Sequence, residues 1–481
     1  MRRRAALVLL AVGLSARPSA AVDAELRRKA ASTLRRSCEF FREKVACEGG
    51  CLWRYSEDLR KREGESKASA KTVWVQPPGT PTVGLAFLEA WRATGDRYYL
   101  EGAKAAAHCL VRGQLRSGGW DYRIEFDPAK RKGYNYRVGP PPAGGRVRNT
   151  TTLDDNNTQE ALRLLMQVDE ALAFKDEKLH EAAGYALTNL MKAQYPNGAW
   201  PQRYDAFPDP AQFPVKKASC PESWSREWTR PKYKGYYTFN DNLMRDMIDV
   251  FFAAARVYES KPCRDAAARA GGFILLAQMP EPQPAWAQQY DAAMHPAWAR
   301  RFEPPAVTGG ESQGVLRTLL RLYRDTGERK YLEPVPRAIA YLRRSRLKNG
   351  RLARFYELRT NKPLFFTKKY VLTYSDSDTP THYAFEVGFG VEKIEREYKA
   401  LARMSPEELE RSRSAVAQPK LSGRTVSRVK AAVASLDGEG RWVEDGRLKY
   451  HGSDDPTRRV IDCRTFVRNV RALSEYLAAT R

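Results

Sequence analysis

The 481-residue sequence predicts an all-α dominated fold, an (α/α) toroid-like array of helical hairpins with irregular loops and few short strands. Three observations predict it. First, one layout recurs four times. Ala93-Thr-Gly-Asp-Arg-Tyr-Tyr-Leu100, Ala173-Phe-Lys-Asp-Glu-Lys-Leu179, Glu259-Ser-Lys-Pro-Cys263 and Asp325-Thr-Gly-Glu-Arg-Lys-Tyr-Leu332 each lead into an apolar helical pattern. The patterns close on Ser117-Gly-Gly-Trp120, Asn197-Gly-Ala-Trp200, Pro284-Ala-Trp286 and Asn349-Gly-Arg-Leu352. The closing positions are 80, 86 and 66 residues apart, room for two helices of ordinary length and a long loop in each unit. Second, the helices carry a period near 3.6. Third, a polar loop stands just before the first helix of each unit.

The helical stripes are Val83, Leu85, Phe87, Leu88 and Trp91 in the first unit, and Leu162, Leu165, Met166 and Val168 in the second. Met244, Met247, Ile248, Phe251 and Phe252 form the third, and Val315, Leu316, Leu319, Leu320 and Leu322 the fourth. Each buries one face against its neighbours. The preceding loops are Gln76-Pro-Pro-Gly-Thr80, Thr152-Leu-Asp-Asp-Asn156, Thr238-Phe-Asn-Asp-Asn242 and Thr308-Gly-Gly-Glu-Ser312. Their polar side chains are expected either to cap the helices that follow or, in a toroid, to converge on one rim. Strand-like runs are few, notably Tyr122 to Phe126 and Phe355 to Leu358.

Three segments frame these units. Arg2, Arg3 and Arg4, the apolar run Ala5 to Leu14 and Ser19-Ala20-Ala21 read as a signal peptide over residues 1–21, so a secreted or periplasmic protein is expected. Ten apolar residues are too few to span a bilayer, and no later run is long enough. The repeats occupy a domain expected over 22–403; residues 404–481 read as a polar linker followed by a helix from Cys463 to Ala479. Asp205 to Lys234, rich in Pro, Ser and Trp, reads as an insertion on a rim.

Composition narrows the chemistry. With 42% hydrophobic and 11% aromatic residues the chain affords a core and is not disordered. A net charge of +25 attracts polyanions; no nucleic-acid module signature is present, whereas an acidic polysaccharide with a carboxylate on each sugar fits equally well. Seven cysteines leave at least one unpaired in a monomer, and the Cys47/Cys51 spacing allows a local disulfide or two thiols but completes no zinc set. The five histidines sit neither in metal-ligand spacing nor beside a nucleophile, and there is no phosphate-binding or dinucleotide fingerprint.

What remains is carboxylates and arginines in Gly/Trp/Pro-rich loops. Asp154 and Asp155 share one loop and Asp241 stands in the matching loop of the next unit, a hard oxygen set suited to Ca²⁺. Arg300, Arg301 and Arg354 lie in later loops beside Phe302, Phe355 and Tyr356, and arginine forks bind carboxylates at two points.

Asn197-Gly-Ala-Trp-Pro-Gln-Arg-Tyr204, Thr238-Phe-Asn-Asp241, Arg300-Arg-Phe-Glu303 and Ala353-Arg-Phe-Tyr-Glu-Leu-Arg-Thr-Asn-Lys-Pro-Leu-Phe365, in this order, resemble the family 10 pectate lyases from about Thr80 to Phe385. The resemblance implies calcium-dependent anti β-elimination of polygalacturonate, an acidic plant polysaccharide, on a toroid-like fold. It implies that Asp154 and Asp241 are functional aspartates at a calcium site, with Asp155 standing where the family has Asn. It implies that Arg300 is the catalytic arginine and that Arg354 binds a substrate carboxylate; like-charge repulsion from Arg301 and bound calcium is expected to lower the Arg300 pKa. Trp200 lies in the most family-like loop and is expected at the substrate, whereas Trp120 and Trp286 are expected to pack. Two departures stand out: Lys368 where the family has a second carboxylate-binding arginine, and Pro380 near the place of a third. Two other readings stay open: a helical-toroid glycoside hydrolase using Asp155, Asp241 or Glu311, and a non-catalytic polyanion-binding protein.

Overall fold

The computed structural model describes residues 24–139, 147–414 and 421–481; the expected signal peptide lies outside them. The four units are helical hairpins. They comprise Thr80–Thr94 with Arg97–Gly113, Asn157–Ala171 with Glu177–Lys192, Leu243–Val257 with Lys261–Leu276, and Gly310–Thr326 with Val335–Arg344. The first helices of the units line up along the inside of the array, and the second helices back them. The apolar stripes read from the sequence are the buried ones: Leu88, Leu162, Leu165, Met247, Phe251, Leu316 and Leu319 are all sealed from solvent.

The two ends of the hairpins are built differently. At the far end, where each first helix turns into the second, Asp96, Asp176 and Ser260 accept from backbone N–H groups of Tyr98, Leu179 and Cys263 and cap the outer helices. At the near end the residues preceding the inner helices, Gly79, Asn156, Asn242 and Gly309, make no side-chain cap. The polar loops there are not spent on capping, so their side chains are available to a cleft.

Each near end is closed by an antiparallel strand pair: Thr72–Trp74 with Arg123–Glu125, Thr151–Thr152 with Arg203–Tyr204, Tyr237–Thr238 with Gln289–Tyr290, and Ala306–Thr308 with Phe355–Glu357, the last extended by Pro363–Phe366 and Leu372–Thr373 into a four-stranded sheet. The register repeats. Val75, Leu153, Phe239 and Gly309 donate backbone N–H groups to the carbonyls of Tyr122, Gln202, Gln288 and Arg354, each two residues beyond the closing Trp or Leu. A glutamine ladder staples successive hairpins: Gln114, Gln194 and Gln278 donate to carbonyls of Ala182, Ala266 and Pro334 on the next outer helix. These side chains are buried, where an unpaired amide costs more than a paired one returns.

The segment from 404 onward is stitched to the start of the chain. Strand Arg459–Asp462 pairs antiparallel with Arg54–Ser56, and helix Cys463–Ala479 packs on Ala24–Phe40 and Thr80–Thr94, stacking Phe466 on Phe41. All seven cysteines are free thiols, Cys47 and Cys51 included. Among the described residues no helix is long and apolar enough to cross a membrane.

Candidate active site

The repeated ribbons bring the polar loops to one rim. In the second and third hairpins the loop folds the same way. Asp155 and Asn156 take φ of 52° and 58°, and Asp241 and Asn242 take 49° and 61°, so two left-handed residues in tandem precede each inner helix. Asp and Asn are the side-chain-bearing residues that tolerate this region best, which is a local reason for an Asp-Asn step at both places. The ribbon register makes Asp155, Asp241 and Glu311 counterparts in three successive hairpins, and Asp154 the counterpart of Asn240.

Asp154, Asp155 and Asp241 converge: each offers a carboxylate oxygen, and these lie within 4.8 Å of one another. Burial, followed by the charges of Asp154 and Glu65, pushes Asp155 up to about 6. Burial, followed by Asp154 and Asp155, pushes Asp241 up to about 7. Oδ1 of Asp154 and Oδ1 of Asn240 are buried acceptors without a hydrogen-bond partner. Converging carboxylates that repel one another, flanked by orphaned oxygens, fit a hard divalent cation such as Ca²⁺.

Arginines flank the acids. The Arg300 guanidinium donates through Nη2 to Glu303 Oε1 at 2.6 Å, and its backbone N–H donates to Glu303 Oε2 at 3.0 Å. Glu303 is sealed from solvent and also accepts from Gln288 Nε2 at 2.6 Å and the Tyr383 hydroxyl at 3.1 Å. Burial pulls Arg300 down, but the hydrogen bond and charge of Glu303 outweigh it and hold the guanidinium above the ordinary arginine range. Glu303 thus outweighs the lowering expected from Arg301. Arg301 turns away, donating to the Lys369 carbonyl at 3.2 Å and lying over Tyr370. Arg354 pairs with Glu311 at 2.9 Å, and its Nε is buried without a partner. Tyr383 lies under both guanidinium groups, 5.6 Å from Arg300 and 4.4 Å from Arg354.

Two sequence expectations change. Trp200 is fully buried, stacks on Phe251 and donates its indole N–H to the Leu190 carbonyl at 2.8 Å; Trp120 and Trp286 do the same toward Leu110 and Ile274. Trp200 is therefore a packing anchor and presents no face to a sugar. Lys368 is exposed and pairs with Asp378 at 3.3 Å, in a turn whose Tyr370 stacks on Phe302. It borders the Arg300 loop without touching Arg300, Arg354 or the acids.

The structure adds residues that sequence reasoning passed over. Arg203 donates through Nη2 to the Tyr122 hydroxyl at 2.9 Å and to Asp154 Oδ2 at 3.3 Å, and that hydroxyl donates to the same Oδ2 at 3.0 Å. Gln76 Nε2 donates to Asp155 Oδ2 at 2.9 Å. Arg203 sits inside the Trp-Pro-Gln-Arg motif, and Gln76 opens the first of the four polar loops, so both lay within patterns already noticed.

A model of the pectic acid lyase family matches residues 141–350, the span that carries the three aspartates, Arg203 and Arg300. A comparison with curated proteins gave no match. Among solved structures, a family 10 polysaccharide lyase from Cellvibrio cellulosa is 20% identical, covering 68% of this chain and 98% of its own, with a TM-score of 0.46. A mutant of a family 10 lyase from the same organism, in complex with a trigalacturonic acid, gives 20%, 67%, 98% and 0.46. A cellobiose 2-epimerase from Bacillus thermoamylovorans is 12% identical, covering 94% of this chain and 99% of its own, with a TM-score of 0.42. Over residues 141–350 the chain is therefore similar to the pectic acid lyases.

Proposed function

We propose that the chain is an exported pectate lyase that cleaves polygalacturonate by calcium-assisted anti β-elimination, leaving 4,5-unsaturated ends. The observation that carries this reading is the convergence of Asp154, Asp155 and Asp241 from two neighbouring hairpins, flanked by Arg300 and Arg354. Asp154, Asp155 and Asp241 would hold Ca²⁺, which when bound neutralises a uronate carboxylate and acidifies the adjacent C5 proton.

The chain's own residues do the rest. Arg354 carries a fork with an unused Nε and is placed to take a substrate carboxylate in exchange for Glu311. Arg300 serves the C5 proton. Because Glu303 holds it protonated, its base form is scarce at neutral pH, and turnover through Arg300 must speed up as pH rises. The C5 proton passes to neutral Arg300 while the C4–O bond breaks and the C4–C5 double bond forms, and the departing oxygen takes a proton from water. Tyr383, hydrogen-bonded to Glu303, packs against both arginines.

The test is incubation with polygalacturonate in chelator and after calcium is restored. Activity is expected to vanish in chelator and return with calcium; full activity in chelator would remove calcium from the account.

A further inference from the structure

We infer that the cleft continues past the acidic cluster into a second, basic site that holds the carboxylate of a further acidic sugar unit. A cavity of about 390 Å³ adjoins Asp154, lined by the cations Arg123, Arg148, Arg203 and Lys234 and by the acids Glu65 and Asp121; this is a volume in the range of small-ligand sites. Tyr122 and Arg203 form the wall shared by the two sites, since both contact Asp154 and both line the basic cavity.

The repeat explains why the cations stand there. Arg203 lies three residues beyond Trp200 and opposite Thr152 in its ribbon; Arg123 lies three residues beyond Trp120 and opposite Trp74. They are the same position in adjacent hairpins, so the rim that carries Arg354, Asp241 and Asp154 in hairpins four, three and two is continued by Arg123 in hairpin one. Lys234 arrives from the end of the insertion. Arg148 is only loosely held by Asp121, at 3.7 Å, and Arg203 keeps a buried Nε without a partner. Among the described residues Arg123 and Lys234 form no ion pair, which leaves two cations facing the cavity for a ligand. A polyuronate presents a carboxylate on every sugar, and two-point arginine pairing selects carboxylate over hydroxyl.

This inference rests on the polyuronate reading, so it is tested by binding rather than turnover. The probes are tri- and hexagalacturonate, titrated calorimetrically in calcium into the full chain carrying Arg300→Ala, so that bound ligand is not consumed. Arg123→Ala/Lys234→Ala is expected to weaken the hexamer by about tenfold or more and the trimer by less, because only the longer chain reaches both sites. Arg123→Gln/Lys234→Gln, which removes the charge but keeps a polar side chain, is expected to act in the same direction, and Glu65→Gln to tighten the hexamer. Arg97→Ala/Lys178→Ala removes the same charge from the opposite rim and is expected to change neither affinity. Unchanged hexamer affinity in both cleft variants, or an equal loss in the opposite-rim variant, would overturn the site. If the chain binds hexamer through these residues yet the wild type yields no unsaturated product, the second site stands and the lyase mechanism falls.

Discussion

Replacing Glu303 by Gln removes the charge that keeps Arg300 protonated while preserving the size of a sealed side chain. Glu303 gives Arg300 a 2.6 Å charge-assisted bond and a second one to its backbone N–H. Such bonds are worth about 1.5–3 kcal/mol. The Arg300 side chain is 40% exposed, so solvent screens part of that, and the lower end applies. One pKa unit corresponds to about 1.36 kcal/mol. Glu303→Gln should therefore lower the Arg300 pKa by about one unit and raise its neutral fraction about tenfold at any pH well below that pKa. The assay is the initial rate on saturating polygalacturonate from pH 6 to 10. The wild type is expected to gain about tenfold per pH unit without a plateau, and the variant's profile to shift to lower pH by about one unit. The variant also loses stability. Glu303 has a pKa held below 4.5, with burial outweighed by Arg300 and Gln288, so its pairing stabilises the fold above that pH and fades as pH falls through the native value. A wild-type plateau near neutrality, or a variant profile of unchanged position, would show that another group takes the C5 proton.

Four further outcomes follow from the same geometry. Asp154→Asn and Asp241→Asn each remove one charged ligand and should weaken calcium by at least tenfold in direct titration, without unfolding the chain; unaltered affinity would place the ion elsewhere. In calcium-free buffer Asp241→Asn should raise the melting temperature above pH 7 and leave it unchanged at pH 4, because the native pKa of about 7 lies above the usual 3.8 and the penalty grows as the carboxylate ionises. Trp200→Phe should lower stability by about 1 kcal/mol or more through its lost indole bond while KM stays within twofold; a large KM change would return Trp200 to the substrate. Lys368→Ala and Lys368→Arg should both leave steady-state kinetics within twofold, given an exposed pair with Asp378; an order-of-magnitude change would put this turn on the substrate.

The hairpins were legible because repeats with a 3.6-residue stripe leave a dense local signal: the residues that form the stripes are the sealed ones. The rim acids were legible for a related reason, since Asp155-Asn156 and Asp241-Asn242 recur before equivalent helices. The ribbons were mostly invisible. Strands of two or three residues, such as Thr151–Thr152, are too short to show an alternating pattern. Their pairing is what sets Arg203 against Tyr122 and Asp154, so those contacts could not be read either. The junction of Arg54–Ser56 with Arg459–Asp462 joins the two ends of the chain and has no local signature. Trp200 was misassigned because a tryptophan in a motif-bearing loop reads alike whether its face meets a sugar or Phe251; only burial separates the two. The Arg300 environment was misjudged in sign because Arg301 is adjacent in sequence but points away, whereas Glu303, three residues on, folds back onto Arg300.

The central claim is the chemistry of bond cleavage, and the product reports it directly. Polygalacturonate incubated with the purified chain and calcium should shorten while ultraviolet absorbance rises in step, because elimination leaves a double bond conjugated to the carboxylate at each new non-reducing end. Shortening with new reducing ends but no rise in absorbance would mean hydrolysis at Asp155, Asp241 or Glu311 and would contradict the account.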